Sequence, residues 1–191
     1  MKRKTWIIVL AVVLLLAVVA VVCCSDAVQL RWALGRYQSA AEEHPEELTL
    51  TIYYMPATVL TRARLTLEDL MNSSHTVKIE VSGDELAKYV DDLKKLDASA
   101  VQPVSGEYWL NARFHYVFER GDQKILEVTM ECYGKDDEIT ADYALINGIL
   151  VEKNTVLYEP VLPFLTQADL YAMGLGYLYA APGEERPLGA E

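Results

Sequence analysis

The sequence predicts an α+β fold, an antiparallel sheet built from hairpins packed against one main amphipathic helix, preceded by an N-terminal transmembrane helix. Three observations lead there. A basic start, Lys2, Arg3 and Lys4, runs into an unbroken apolar stretch from Trp6 to Cys24. Several later segments alternate apolar and polar residues with period two and are separated by turn residues. One segment after Ser82 repeats apolar residues at helical spacing, through Leu86, Tyr89, Val90, Leu93 and Leu96.

The apolar stretch suits a bilayer core, which needs about 20 helical residues (range about 17–25), better than a cleaved signal, whose apolar part runs about 7–15. Basic residues beside a span stay on the cytoplasmic side. Residues 1–25 therefore read as a membrane anchor or uncleaved signal, single-pass, with the N-terminus cytoplasmic and the rest extracytoplasmic. The stretch also resembles a bacterial lipoprotein leader, in which a cysteine at this place is acylated; that makes Cys23 and Cys24 acylation candidates. The pattern wants a small residue before the cysteine, where this chain has Val22 or Cys23. Each of these readings exports the domain.

All 28 acidic residues lie beyond the apolar stretch, while three of the 17 basic ones precede it, so the exported part is more acidic than the chain's net −11. Such a surface repels nucleic acid and anionic lipid headgroups, and nucleic acid is not an expected partner. The expected partners are the membrane, through residues 6–24, and a protein or envelope ligand. Of three cysteines only Cys132 lies in the exported part, so that part holds no internal disulfide and depends on its apolar core. That usage suits a Gram-positive bacterium better than an animal cell surface.

Residues 26–47 read as a helical stalk ending before Pro45, residues 48–180 as the extracytoplasmic α+β domain and residues 181–191 as a disordered tail. Leu48 to Met55 alternates as a half-buried strand that Pro56 ends, and Val59 to Leu65 is expected to return as its hairpin partner. Thr66 with Asp69, Ser82 with Glu85 and Thr166 with Asp169 each match a capping box, so each opens a helix. Thr76 to Val81 is a strand with Val77, Ile79 and Val81 inward. The longest strand, Tyr108 to Glu119, pairs with Lys124 to Tyr133. Its inward residues, from Leu110 to Phe118, and those of its partner, from Leu126 to Cys132, are all even-numbered. Even opposes even only across an odd loop, so an odd loop is expected. After a charged link, Asn147-Gly148 marks a two-residue turn between Tyr143–Ile146 and Ile149–Lys153.

The polar face of the main hairpin sets Asn111, Arg113 and His115 against Glu127, Thr129 and Glu131. With Trp109 beside them, Trp109, Arg113, His115, Glu127 and Glu131 form a candidate binding face. His115 with Glu127 or Glu131 is also the best acid-base set for an envelope-associated enzyme. The plainer reading is a solvated sheet face with alternating charge. Arg120-Gly121-Asp122 at the hairpin tip resembles the tripeptide through which matrix proteins engage integrins, which implies an adhesin; Gly and Asp are also ordinary turn residues. His44 and His75 read as surface residues and the acidic run from Asp136 to Asp142 as a solvated linker. No G-x-S-x-G, H-E-x-x-H, phosphate loop or paired-cysteine motif occurs, so no cofactor and no resident metal are expected. The leading expectation is a non-enzymatic binding or interaction module of the cell envelope.

Overall fold

The structure is a computed structural model that describes residues 12–13, 25–106, 108–131 and 143–178. The apolar stretch apart from Val12 and Val13, the candidate acylation sites Cys23 and Cys24, Cys132, the acidic link and the C-terminal tail lie outside the described residues. Among the described residues no helix is long and apolar enough to cross a membrane.

Six strands form one antiparallel sheet in the order β2-β1-β3-β4-β5-β6. They are β1 (Leu48–Tyr54), β2 (Val77–Val81), β3 (Phe114–Arg120), β4 (Gln123–Met130), β5 (Tyr143–Ile146) and β6 (Ile149–Glu152). Period-two alternation puts Leu50, Ile52, Phe114, Tyr116, Phe118, Leu126, Val128 and Met130 on one face, all fully buried. Fully burying each such side chain is worth roughly 1.5–3 kcal/mol, so this face is the main source of stability.

That face is covered first by α1 (Asp26–Glu43). The helix forms where the stalk was expected, but it is no spacer. Leu30, Leu34, Tyr37 and Ala41, spaced as one helical stripe, are buried in the same core as the sheet. The Tyr37 ring packs 4.9 Å from Phe118, and its hydroxyl donates to the Leu93 carbonyl at 3.0 Å. The expected main helix after Ser82 is instead broken into α3 (Gly83–Leu86), a 3-10 turn over Ala87–Tyr89 and α4 (Val90–Leu93). The break falls at Tyr89, whose ring turns edge-on to Phe164 at 5.2 Å, while Leu86, Leu93 and Leu96 still reach the core. The main helix packed on the sheet is therefore α1. The C-terminal segment completes the cover through Tyr158, Val161, Met173 and Leu175.

Two of the three capping boxes form, at Thr66 with Asp69 on α2 (Leu67–Asn72) and at Thr166 with Asp169 on α5 (Gln167–Ala172). The Ser82 side chain makes no cap bond, and Glu85 pairs with Lys88 instead. The stretch from Val59 to Leu65 is not a strand. Beyond Pro56 the chain turns, with the Val59 amide on the Pro56 carbonyl, and β1 finds its partners in β2 and β3.

The main hairpin keeps the expected parity by another route. Phe114 to Phe118 oppose Met130 to Leu126, even against even, but the loop is the two-residue turn Gly121-Asp122. A bulge after Phe118 leaves Ile125 as the extra residue, so both apolar sets stay on the core face. The second hairpin has the expected Asn147-Gly148 turn, with φ of 48° and 80°, the pair of positive angles that a type I′ turn requires.

Candidate functional site

The other face of the sheet carries the polar residues of the main hairpin, and it is not a solvated surface. Asn111, Arg113, His115, Thr129 and Glu131 are all buried. The cover is the segment from Met55 to Asn72, whose Met55 and Leu70 pack on Ala112 with Tyr53, Val59 and Leu65 around them. The chain reaches this position because the β1 ladder ends at Tyr54. Beyond it, the Met55 amide still bonds to the Arg113 carbonyl, and the Ala112 amide to the Leu65 carbonyl at 2.9 Å.

His115 stands between Tyr53 on β1 and Thr129 on β4. It is 2 % exposed, and its Nδ1 lies 2.9 Å from Thr129 Oγ1. Burial pushes its pKa down to about 4, with a smaller opposing pull from Glu127 and a further push from Lys124. At neutral pH it is an uncharged imidazole held in a hydrogen bond. Neither carboxylate of the expected acid-base set joins it. Glu127 takes the Lys124 ammonium, and Glu131 Oε1 accepts the Asn111 amide at 2.5 Å.

Arg113 points beneath the loop that covers this face. Its Nη1 donates to the Val59 carbonyl at 2.7 Å and its Nη2 to Thr61 Oγ1 at 3.0 Å, while Nε has no hydrogen-bond partner among the described residues. Among the described residues no carboxylate pairs with it, although it is only 6 % exposed. The Asn111 side-chain oxygen accepts the Leu65 amide at 2.8 Å, and Arg64 Nη1 donates to the Trp109 carbonyl at 2.7 Å. These bonds lace the loop to residues 109–113.

Two cavities open on either side of this lacing. One, of about 380 Å³, is lined by Thr61, Arg62, Arg64, Asn111 and Arg113. The other, of about 310 Å³, is lined by Tyr108, Trp109, Leu110, Glu127, Thr129 and Leu145. Trp109 is 78 % exposed at its edge, and Tyr108 is braced edge-on by Tyr143 at 4.8 Å. Of the five residues expected on one binding face, Trp109 and Glu127 thus share a cavity and Arg113 lines another. His115 and Glu131 are buried and line neither.

A third cavity, of about 640 Å³, lies between α1 and the tip of the main hairpin, with Arg31, Trp32, Arg36 and Arg120 on its walls. At that tip Gly121 and Asp122 are exposed, while the Arg120 guanidinium is held by Glu47. His44, Glu46 and Glu47, all exposed, also bring one ligand atom each within 4.8 Å of one another, but Glu47 is committed to Arg120.

Sequence reasoning missed Arg62 and Arg64, which lie in the stretch expected to return as a strand. The signal was charge rather than period. No acidic residue lies between Met55 and Leu67, in a chain whose acidic residues outnumber its basic ones 28 to 17. Comparison with protein-family models, with curated proteins and with solved structures gave no match for this chain.

Proposed function

We propose that this chain is held in a membrane through residues 6–24, with its N-terminus cytoplasmic, and that its domain works on the outer side as a non-enzymatic module that binds a protein or another envelope component. The observation that carries the binding reading is the cavity beside Trp109. An aromatic side chain 78 % exposed at the mouth of a space of about 310 Å³, with Tyr108 and Leu110 on its walls and Glu127 and Thr129 as polar points, has the make-up of a recognition site. A large apolar ring left in water is otherwise unfavourable, and here it stands on a braced segment rather than a free one.

The acid-base alternative is less well supported. A general base must reach its proton within hydrogen-bond distance. His115 is buried, is bonded to Thr129 and lines neither cavity of this face. For the adhesin reading, the ion pair of Arg120 with Glu47 ties the guanidinium back to the domain.

The test is retention of an envelope component by the immobilised domain beginning at Ser25, compared with its Trp109→Ala variant. A partner retained by the native domain, bound directly when purified and weakened about 30-fold or more by Trp109→Ala, is the expected result, since a central aromatic anchor contributes about 2 kcal/mol or more. A partner bound equally by both proteins removes Trp109 from the interface. Turnover of a substrate that is abolished by His115→Gln would replace the binding reading with the enzymatic one.

A further inference from the structure

We propose that the cavity under the loop from Ala57 to Arg64 is an oxyanion site that takes the phosphate group of a small organic ligand, held by Arg62, Arg64 and Arg113. The inference is independent of the Trp109 cavity. It starts from the cost of Arg113. A buried guanidinium is stable only when paired and hydrogen-bonded, because removing a charge from water costs several kcal/mol even after relaxation. Arg113 is 6 % exposed, and among the described residues its two terminal nitrogens are bonded only to the neutral Val59 carbonyl and Thr61 hydroxyl and its Nε has no partner. The counter-charge is therefore not supplied by the described residues.

The surroundings sharpen the argument. Arg62 and Arg64 line the same cavity, so three like charges converge on one space. Such a cluster is unfavourable by itself. Among the described residues, the carboxylates on the neighbouring segments are engaged elsewhere: Glu131 takes the Asn111 amide, and Asp69 caps α2 through Thr66. Arg64 spends one donor on the Trp109 carbonyl, and Arg62 is exposed and bonded to nothing among the described residues. Forked N–H donors match phosphate oxygens two at a time, and three guanidinium charges balance a dianion better than a single carboxylate. A space of about 380 Å³ exceeds what a bare phosphate fills, so the ligand has an organic part. Leu60, 91 % exposed, and Ala57 and Ala63 give it an apolar wall.

The same phosphate chemistry comes from a soluble phosphorylated metabolite or from a lipid headgroup, and the test separates them. The full chain, in nanodiscs of phosphatidylcholine, is titrated calorimetrically with glycerol 3-phosphate and, separately, with succinate. Saturable binding of glycerol 3-phosphate, weakened about tenfold or more by Arg62→Ser and stronger than that of succinate, is expected. Arg62 is exposed, so this variant keeps the fold; Arg113→Lys, which keeps the charge and loses the fork, is expected to weaken binding as well. Nanodiscs containing phosphatidylglycerol then distinguish the sources. If the lipid lowers the apparent affinity for glycerol 3-phosphate in the native chain, headgroups occupy the site; if it does not, the ligand is soluble. Absence of saturable binding, equal affinity in Arg62→Ser, or preference for succinate overturns the proposal.

Discussion

His115 illustrates how burial fixes the state of a single side chain. Tyr53 lies 6.0 Å away ring to ring, Thr129 holds Nδ1, and the charged groups that act on it are Glu127 and Lys124 of β4. Because burial dominates, the folded pKa of about 4 lies below the ordinary value of 6.5. The unfolded chain thus binds the proton more readily than the folded one. Stability from this residue is fully present above about pH 6.5 and is lost as pH falls toward 4, with about 2–3 kcal/mol gone by pH 4.5. Replacing the ring with an uncharged side chain removes that dependence. Urea unfolding at about pH 7 and 4.5 is expected to show a smaller loss on acidification for His115→Gln than for the native protein. Equal losses would show that His115 protonates without cost and that its burial is looser than the geometry indicates.

At the scale of elements, the junction before α3 depends on one close approach. A Cβ added to Gly83 would stand 2.0 Å from the Glu46 carbonyl oxygen and 2.4 Å from its carbon, which are backbone atoms that cannot swing aside. Helix propensity alone would make alanine better than glycine by about 0.5–1 kcal/mol. The contact argues the opposite sign, and Gly83→Ala is expected to destabilise by about 1–3 kcal/mol, read as a lower urea midpoint. A higher midpoint would mean that the Glu46 turn yields freely. The same junction marks the limit of what the sequence made legible. Signals contained within a few residues were readable: the Asn147-Gly148 turn, the Thr66 and Thr166 caps, and the even-to-even parity of β3 and β4. Features set by distant partners were not. The Ile125 bulge solves a parity problem that an odd loop would have solved equally well, and the Ser82 box does not form, with the Glu85 amide on the Ser82 carbonyl and its carboxylate on Lys88. The polar face read as solvated because nothing local in Val59 to Leu65 announces that it folds back over Arg113 instead of pairing with β1. The candidate site was half legible for the same reason: Trp109, Arg113 and Glu127 were chosen from strand alternation, whereas Arg62 and Arg64 join Arg113 only through that fold-back.

For the whole molecule, the largest revision concerns where the domain begins. Residues 26–47 read as a helical stalk from their helix formers and the break at Pro45, but the stripe of Leu30, Leu34, Tyr37 and Ala41 is part of the central core. Tyr37 also ties α1 to the Leu93 carbonyl, and Lys94 pairs with Glu42 at 2.7 Å, so the helix is fastened to the segment after α3 as well as to the sheet. Removing it would uncover Phe118, on which the Tyr37 ring packs, and the core around it. Each large side chain left without its partner costs about 2–5 kcal/mol, and domains hold only about 5–15 kcal/mol in total. A fragment beginning at Glu46 is therefore expected not to fold, whereas one beginning at Ser25 unfolds cooperatively with heat. Circular dichroism melts of the two fragments make the comparison, and Leu34→Ala in the longer one is expected to lower its midpoint, by about 2–4 °C for each kcal/mol lost. A cooperative melt from the shorter fragment would return α1 to the role of a spacer between membrane and domain.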